Sequence, residues 1–179
     1  MKKFNRQRVN SRRFHMSEKQ IIRNHDDILL VIKRLSLEIA ENHVNNKQIY
    51  LVGLNERGFF LANSINTELS KYLNASNIKA IQMDIQNNQF IDQSEFTNIR
   101  ESVVIIIDDV VNSGYTTMKT IAHFFGLGFH TIETAFLAQR EHLSYPVLAN
   151  YVGLSIATTL KDHVYFDNSN PTHLQLYLA

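Results

Sequence analysis

Residues 103–117 read VVIIIDDVVNSGYTT, and the order of residue types in this stretch decides the fold class. Val103 to Ile107 are β-branched and apolar without a break. A strand with one wet face alternates apolar and polar residues, so an unbroken run fits a strand covered on both faces, the habit of parallel sheets. Asp108 and Asp109 stand where that strand is expected to end. The small polar turn Asn112-Ser113-Gly114 follows, and a helix is expected from Thr116 to Phe125.

The flanking segments repeat the alternation. Upstream, Gln48–Gly53 (QIYLVG) reads as a strand, Phe59–Leu73 as a helix through Leu61, Ile65, Leu69 and Tyr72, and Ile78–Ile85 as a second strand. The stretch from Gln86 to Asn98 is polar and lacks an apolar period, and is expected to be a mobile excursion. Downstream, Gly126 and Gly128 punctuate the helix before a strand from His130 to Leu137. Together these predict an α/β fold with a mostly parallel central sheet flanked by helices, its ligand site beyond the carboxyl ends of the strands. From Ser17 to Asn42 apolar residues recur at helical spacing, predicting one long helix or two short ones with Ser17 or Asn24 as caps. From Tyr145 the short apolar pieces Tyr151–Ile156, Val164–Phe166 and Leu174–Leu178 predict a small irregular or antiparallel appendage.

Composition narrows the chemistry. A chain of 179 residues, 44% apolar and 20% charged, suits one globular domain. It has no cysteine, which excludes disulfides, Cys-ligated zinc, iron–sulfur clusters and a cysteine nucleophile. The histidines show no metal-ligand spacing. No apolar run approaches 18 residues, so a cytoplasmic protein without a membrane span is expected. Net charge is +1, but Lys2, Lys3, Arg6, Arg8, Arg12 and Arg13 all precede the first acid, Glu18. Residues 1–16 therefore form a basic arm, and residues 17–179, with 12 bases against 17 acids, form the domain. Such an arm suits RNA or an acidic neighbour, or is simply a solvated terminus. Phe59, Phe60, Phe124 and Phe125 read as core or interface residues rather than stacking platforms.

Paired carboxylates at a strand end can accept hydrogen bonds from sugar hydroxyls. Ser113 and Thr116, with the backbone N–H groups of residues 112–117, form an anion site at a helix start. The combination asks for a phosphorylated sugar. A Walker B strand also ends in acids, but its partner loop G-x-x-x-x-G-K-[ST] does not occur in this chain. A receiver-type phosphoacceptor would carry its acids near the start of the domain. Neither competitor explains the Ser113-Gly114 turn.

Residues 103–117 resemble the phosphoribosyl pyrophosphate (PRPP) motif of type I phosphoribosyltransferases: an apolar strand, two acids, a Ser/Thr-Gly turn and Thr. Leu51–Ala62 (LVGLNERGFFLA), with the pair Arg57-Gly58, is similar to the pyrophosphate loop of the branch comprising the pyrimidine-operon regulators and uracil phosphoribosyltransferases. Phe136–Gly153 (FLAQREHLSYPVLANYVG) is similar to the same branch through Arg140, His142, Pro146 and Tyr151-Val152-Gly153.

The resemblance implies the type I fold with a small hood, and transfer of phosphoribose from PRPP to a nucleobase with release of pyrophosphate. It implies that Asp108 and Asp109 hold the ribose hydroxyls, that Asn112, Ser113, Gly114, Tyr115 and Thr116 cradle the 5′-phosphate, and that Leu54, Asn55, Glu56 and Gly58 hold pyrophosphate with Arg57 as its charge partner. Mg²⁺ is held through PRPP, with no direct protein ligand. Arg140, Val152, Gly153 and Ile156 are the implied base contacts, with Tyr151–Ile156 as part of the hood. A homo-oligomer is the family habit.

Three departures modify this. Residues 86–98 contain no Lys or Arg, which weakens leaving-group stabilisation. Tyr115 stands where a basic residue often follows the glycine, and Gln139-Arg140-Glu141-His142 replaces Asp-Arg-Gly-His. Asn112 is an amide where purine-type members place an acid, which favours a pyrimidine such as uracil. The alternative function is a nucleotide-sensing, RNA-binding regulator that keeps the pocket but turns over little.

Overall fold

The unbroken apolar run becomes the central strand. In the computed structural model, which describes residues 19–45, 48–87, 89–157 and 163–179, strand β4 spans Val103–Val111. Beside it lie β2 (Ile49–Leu54) and, beyond β2, β3 (Ile78–Met83); on the other side lie β5 (Thr131–Arg140) and β6 (Tyr151–Ile156). The order is β3-β2-β4-β5-β6, and every neighbouring pair is parallel. All five carboxyl ends therefore open on one edge.

Three α-helices among the described residues cover the sheet: α1 (His25–His43), α2 (Asn55–Leu69) and α3 (Tyr115–Gly126). On one face Ile28, Ile32, Leu35 and Ile39 of α1 and Leu61, Ile65 and Leu69 of α2 pack on Leu51 and Ile105. On the other, Phe124 of α3 joins Phe96 and Phe129 over Tyr50, Val52, Val104 and Ile106. Period-two alternation along β2 and β4 divides these two cores, so neither strand has a wet face.

A second sheet, antiparallel, has the order β1-β8-β7, from β1 (Gln20–Arg23), β7 (Val164–Asp167) and β8 (Gln175–Leu178). Its inner residues Val164, Phe166 and Leu176 pack with Val110 of β4, and Phe166 lies 6.1 Å from the Phe60 ring of α2. This sheet is the hood.

The structure corrects several expectations. Ile21 and Ile22 belong to β1, not to a helix; the helix begins after Asn24, whose side chain accepts from the Asp27 N–H while Asp27 accepts from the Asn24 N–H. That reciprocal cap fixes the start. Tyr151–Ile156 is not part of the hood but the edge strand of the main sheet, paired with β5. Residues 86–98 carry apolar anchors after all: Ile91 and Phe96 are buried, Phe96 edge-on to Tyr50 at 4.9 Å. Phe125 is exposed, whereas Phe124 is fully buried. The basic arm, residues 1–16, lies outside the described residues.

Gly58 brings α2 against β4. A Cβ there would lie 2.5 Å from the Ile107 carbonyl oxygen, whereas one on Gly126 meets nothing within 4 Å. Gly58→Ala should therefore destabilise by about 1–3 kcal/mol. Gly126→Ala, in the last turn of α3, should stabilise by up to ~1 kcal/mol. Urea unfolding of both variants checks the pair, and equal effects would contradict the close approach.

Candidate active site

Asp108 and Asp109 remain inside β4, which runs two residues further than expected, to Val111. They sit at the open edge between two cavities. The larger, about 450 Å³, is lined by Leu54, Asn55, Glu56 and Arg57 from the β2–α2 junction, by Gln82, Asp84, Gln86 and Asn87, and by both aspartates. The smaller, about 220 Å³, is lined by Asp108 and by residues 110–117. Asp108 borders both.

The two cavities share a design. Leu54, the residue before α2, offers no side-chain cap, and Gly114, the residue before α3, offers none either. Tyr115 N–H donates to Ser113 Oγ at 3.2 Å, and the other first N–H groups of these helices have no side-chain acceptor among the described residues, with positive dipole ends behind them. The fully capped α1 is the contrast. Gly114 has φ +81° and Asn55 φ 53°, so both helices start from left-handed backbone, which glycine tolerates and asparagine adopts more readily than most residues. The Asn55 Oδ1 is buried without a hydrogen-bond partner.

The smaller cavity is braced from behind. Ser144 and Tyr145 each donate a backbone N–H to the Ser113 carbonyl at 3.0 Å. The position of a Gly114 Cβ would lie 3.1 Å from Val147 Cγ2, and the Tyr115 and Tyr145 rings meet at 5.4 Å. The loop of residues 112–116 is therefore held between α3 and the β5–β6 connection.

Electrostatics set the state of the acids. Burial and the neighbouring Asp109 push the Asp108 carboxyl well above its ordinary range. Arg57 Nη1 lies 3.7 Å from Asp109 Oδ2 and is half exposed, a loose pair that contributes at most ~1 kcal/mol and leaves the guanidinium free to turn to a ligand. Asp84 is held below its usual value by hydrogen bonds from the side chain and backbone of Asn87.

The implied base contacts do not converge as a group. Arg140 and Ile156 pair at the carboxyl ends of β5 and β6. Val152 and Gly153 lie lower, against α1: their carbonyls accept from Arg34 Nη2, and a Gly153 Cβ would meet Leu137 O at 2.3 Å and Val31 Cγ1 at 2.6 Å. They line neither cavity. Sequence reasoning missed Gln82, Asp84, Gln86 and Asn87. Asp84 carried a signal, being a further acid at the carboxyl end of a strand.

The model of the phosphoribosyl transferase domain family matches residues 19–167, most of the chain and all of this site. The chain belongs to that family. Curated relatives of the PyrR-like branch agree with it. The "Bifunctional protein PyrR" of Actinobacillus succinogenes is 27% identical over 160 residues, covering 81% of this chain and 89% of that one. The protein of the same name from Leuconostoc citreum is 28% identical, covering 83% and 90%. Among solved structures, the hypoxanthine phosphoribosyltransferase of Trypanosoma cruzi matches with a TM-score of 0.67 at 16% identity, covering 81% of this chain and 84% of that one. A hypoxanthine-guanine phosphoribosyltransferase from Bacillus anthracis gives 0.63 at 20%, covering 78% and 83%. These share the type I fold.

Asp108 provides a stability test. Its raised value in the folded state means that the native protein holds a proton the unfolded chain releases, so stability falls as pH rises from about 4 through the raised value. Asp108→Asn removes that fall. It should stabilise the ligand-free protein at pH 7, with the gain shrinking toward pH 4. Calorimetric melting at both pH values checks the sign.

Proposed function

We propose that this phosphoribosyltransferase joins the ribose 5-phosphate of PRPP to a nucleobase, a pyrimidine such as uracil, releasing pyrophosphate. The observation that carries this reading is the pair of uncapped helix starts flanking two adjacent carboxylates. PRPP has two anionic ends separated by a sugar diol, and this spacing of donors and acceptors complements it. In this reading residues 112–116 hold the 5′-phosphate, Asp108 and Asp109 the ribose hydroxyls, and residues 54–58 the pyrophosphate, with Arg57 turning from Asp109 to the leaving group. The C1–O bond breaks with its electron pair going to pyrophosphate, and the base nitrogen bonds to C1 and loses its proton to solvent. The chain's own contribution is position and field.

The carboxylates of Glu56, Asp84, Asp108 and Asp109 around the larger cavity are hard oxygen donors that fit Mg²⁺, an ion that keeps most of its waters and uses few protein ligands. Bound with PRPP, it would neutralise charge on the pyrophosphate. Among the described residues no group of three or more His, Asp or Glu side chains forms a ready metal cage. For the base, Arg140 and Ile156 are retained as contacts, and the amide of Asn112 favours a pyrimidine. A cytoplasmic location is proposed with this substrate; no helix among the described residues is long and apolar enough to cross a membrane.

One observation favours the regulator as a second reading. The larger cavity sets a single cation, Arg57, against four carboxylates, which suits holding a nucleotide better than expelling pyrophosphate. Curated relatives named for two functions are consistent with a site that serves both.

A panel of bases assayed with PRPP and Mg²⁺ for pyrophosphate release tests the reading, with uracil expected to be the active base. Silence across the panel, with tight UMP or PRPP binding by calorimetry and RNA affinity falling steeply with salt, would transfer the assignment to the regulator. Asp108→Ala or Asp109→Ala should remove PRPP binding. Arg57→Ala should weaken PRPP and pyrophosphate about tenfold or more, some 1.4 kcal/mol, while sparing UMP. Equal loss for all three ligands would count against Arg57 as the pyrophosphate partner.

A further inference from the structure

The connection between β5 and β6, residues 141–150, is tied to the sheet at both ends. Glu141 donates its N–H to the Ile156 carbonyl at 3.3 Å, and Thr134, buried in β5, donates its hydroxyl to the Leu148 carbonyl at 2.6 Å. Between these anchors Val147 donates its N–H back to the Tyr145 carbonyl at 2.8 Å, across Pro146. This is a three-residue turn whose central residue has its φ fixed by the proline ring. The segment is therefore a braced support.

From this support the N–H groups of Ser144 and Tyr145 converge on one acceptor, the Ser113 carbonyl. Two donors on one oxygen fix the orientation of the Ser113–Gly114 peptide plane. That bond is trans, so the Gly114 N–H points opposite to the Ser113 carbonyl and away from the connection. It meets no acceptor among the described residues, and Gly114 lines the smaller cavity. Turning the same plane over would exchange this N–H for a carbonyl oxygen, whose negative end repels a phosphate. Glycine permits either sign of φ, so the sequence at 114 does not choose between the two orientations. The observed φ of +81° is the one held by the two donors.

We propose that Ser144 and Tyr145 are positioning residues for a phosphate monoester: by holding the Ser113 carbonyl they aim the Gly114 N–H into the smaller cavity. Neither residue lines a cavity, so both act through the peptide they hold. The proposal rests on the reading of the smaller cavity as the 5′-phosphate site and names what sets the direction of its central donor. Its effect is confined to that site, because the larger cavity is lined by neither Ser113 nor Gly114. A ligand carrying a monoester feels the support, and pyrophosphate alone does not.

Calorimetric titration of the full chain with UMP, and separately with pyrophosphate and Mg²⁺, tests this. Tyr145→Pro deletes one of the two donors at a position that already precedes a proline. It should weaken UMP about tenfold and leave pyrophosphate within about twofold. Tyr145→Ala keeps the N–H and drops the ring, and should hold UMP within about threefold. Amide spectra of the unmodified chain do not depend on any variant folding: there the Gly114 proton should move downfield on adding UMP and stay in place with pyrophosphate. Four results would overturn the positioning role and leave the transfer reading standing: UMP affinity indifferent to Tyr145→Pro, equal losses in the proline and alanine variants, equal losses of UMP and pyrophosphate, or a Gly114 amide unmoved while UMP binds. A chain that binds neither UMP nor ribose 5-phosphate would overturn the reading of the smaller cavity, and this proposal with it.

Discussion

Two carboxylates on consecutive residues of a strand buried on both faces are the constraint around which the rest is arranged. Each resists losing water, and each raises the cost of ionising the other. Asp108 shows the result in its elevated titration. The fold does little to relieve this. Arg57 stands off at 3.7 Å and half in solvent, and among the described residues no lysine lines the larger cavity. A core that needed the acids only for stability would do better with apolar residues of similar size. Their retention at the open edge, where the sheet can present them to a ligand, is therefore informative about function as well as about folding.

The same edge concentrates the other unsatisfied groups. Parallel strands bring their carboxyl ends together, and each following helix starts there with free N–H groups. In α1, Asn24 and Asp27 cap each other's N–H reciprocally. In α2 and α3 no N-cap side chain does so among the described residues, only the Tyr115 N–H being met, by Ser113 Oγ at 3.2 Å, and both helices begin from left-handed backbone. Gly58 lets α2 press onto Ile107 and Asp108, and Ser113 is pinned by Ser144 and Tyr145. On the proposed reading, rigid supports behind the two helix starts leave little ordering for a doubly anionic ligand to bring about, which is the physical content of a preorganised site.

Much of this was readable from residue order. Five β-branched residues ending in two acids located the central strand, the open edge and the glycine turn, because those features depend on local composition and period. What escaped depended on partners distant in sequence. Ile21 and Ile22 fit a helical period equally well, and only pairing with β8, more than 150 residues away, makes them a strand. Tyr151–Ile156 is short and apolar, which suits a hood strand or a sheet edge; its register with Ala135–Arg140 decides. Gly153 is a base contact implied by the resemblance, but the groups that approach it are Leu137 and Val31. Ile91 and Phe96 lay hidden in a polar stretch because two anchors make no period.

That polar stretch separates binding from turnover. Ground-state affinity for PRPP on this scaffold would come from helix starts and hydroxyl acceptors, which the chain possesses in full. Acceleration requires contacts that strengthen as charge moves onto the pyrophosphate. Of the stretch after Asp84, Gln86 and Asn87 line the larger cavity and bring amides rather than a cation, and the chain beyond is fastened down: Phe90 packs on His123 at 4.9 Å, with Lys119 over its ring, and His123 Nε2 meets the Ile91 carbonyl at 3.0 Å. Lys119 is drawn onto the Phe90 ring on the α3 side of the loop. On the proposed reading the leaving group depends on Arg57 and on the cation that arrives with the substrate, and this chain can retain PRPP far more effectively than it can cleave it.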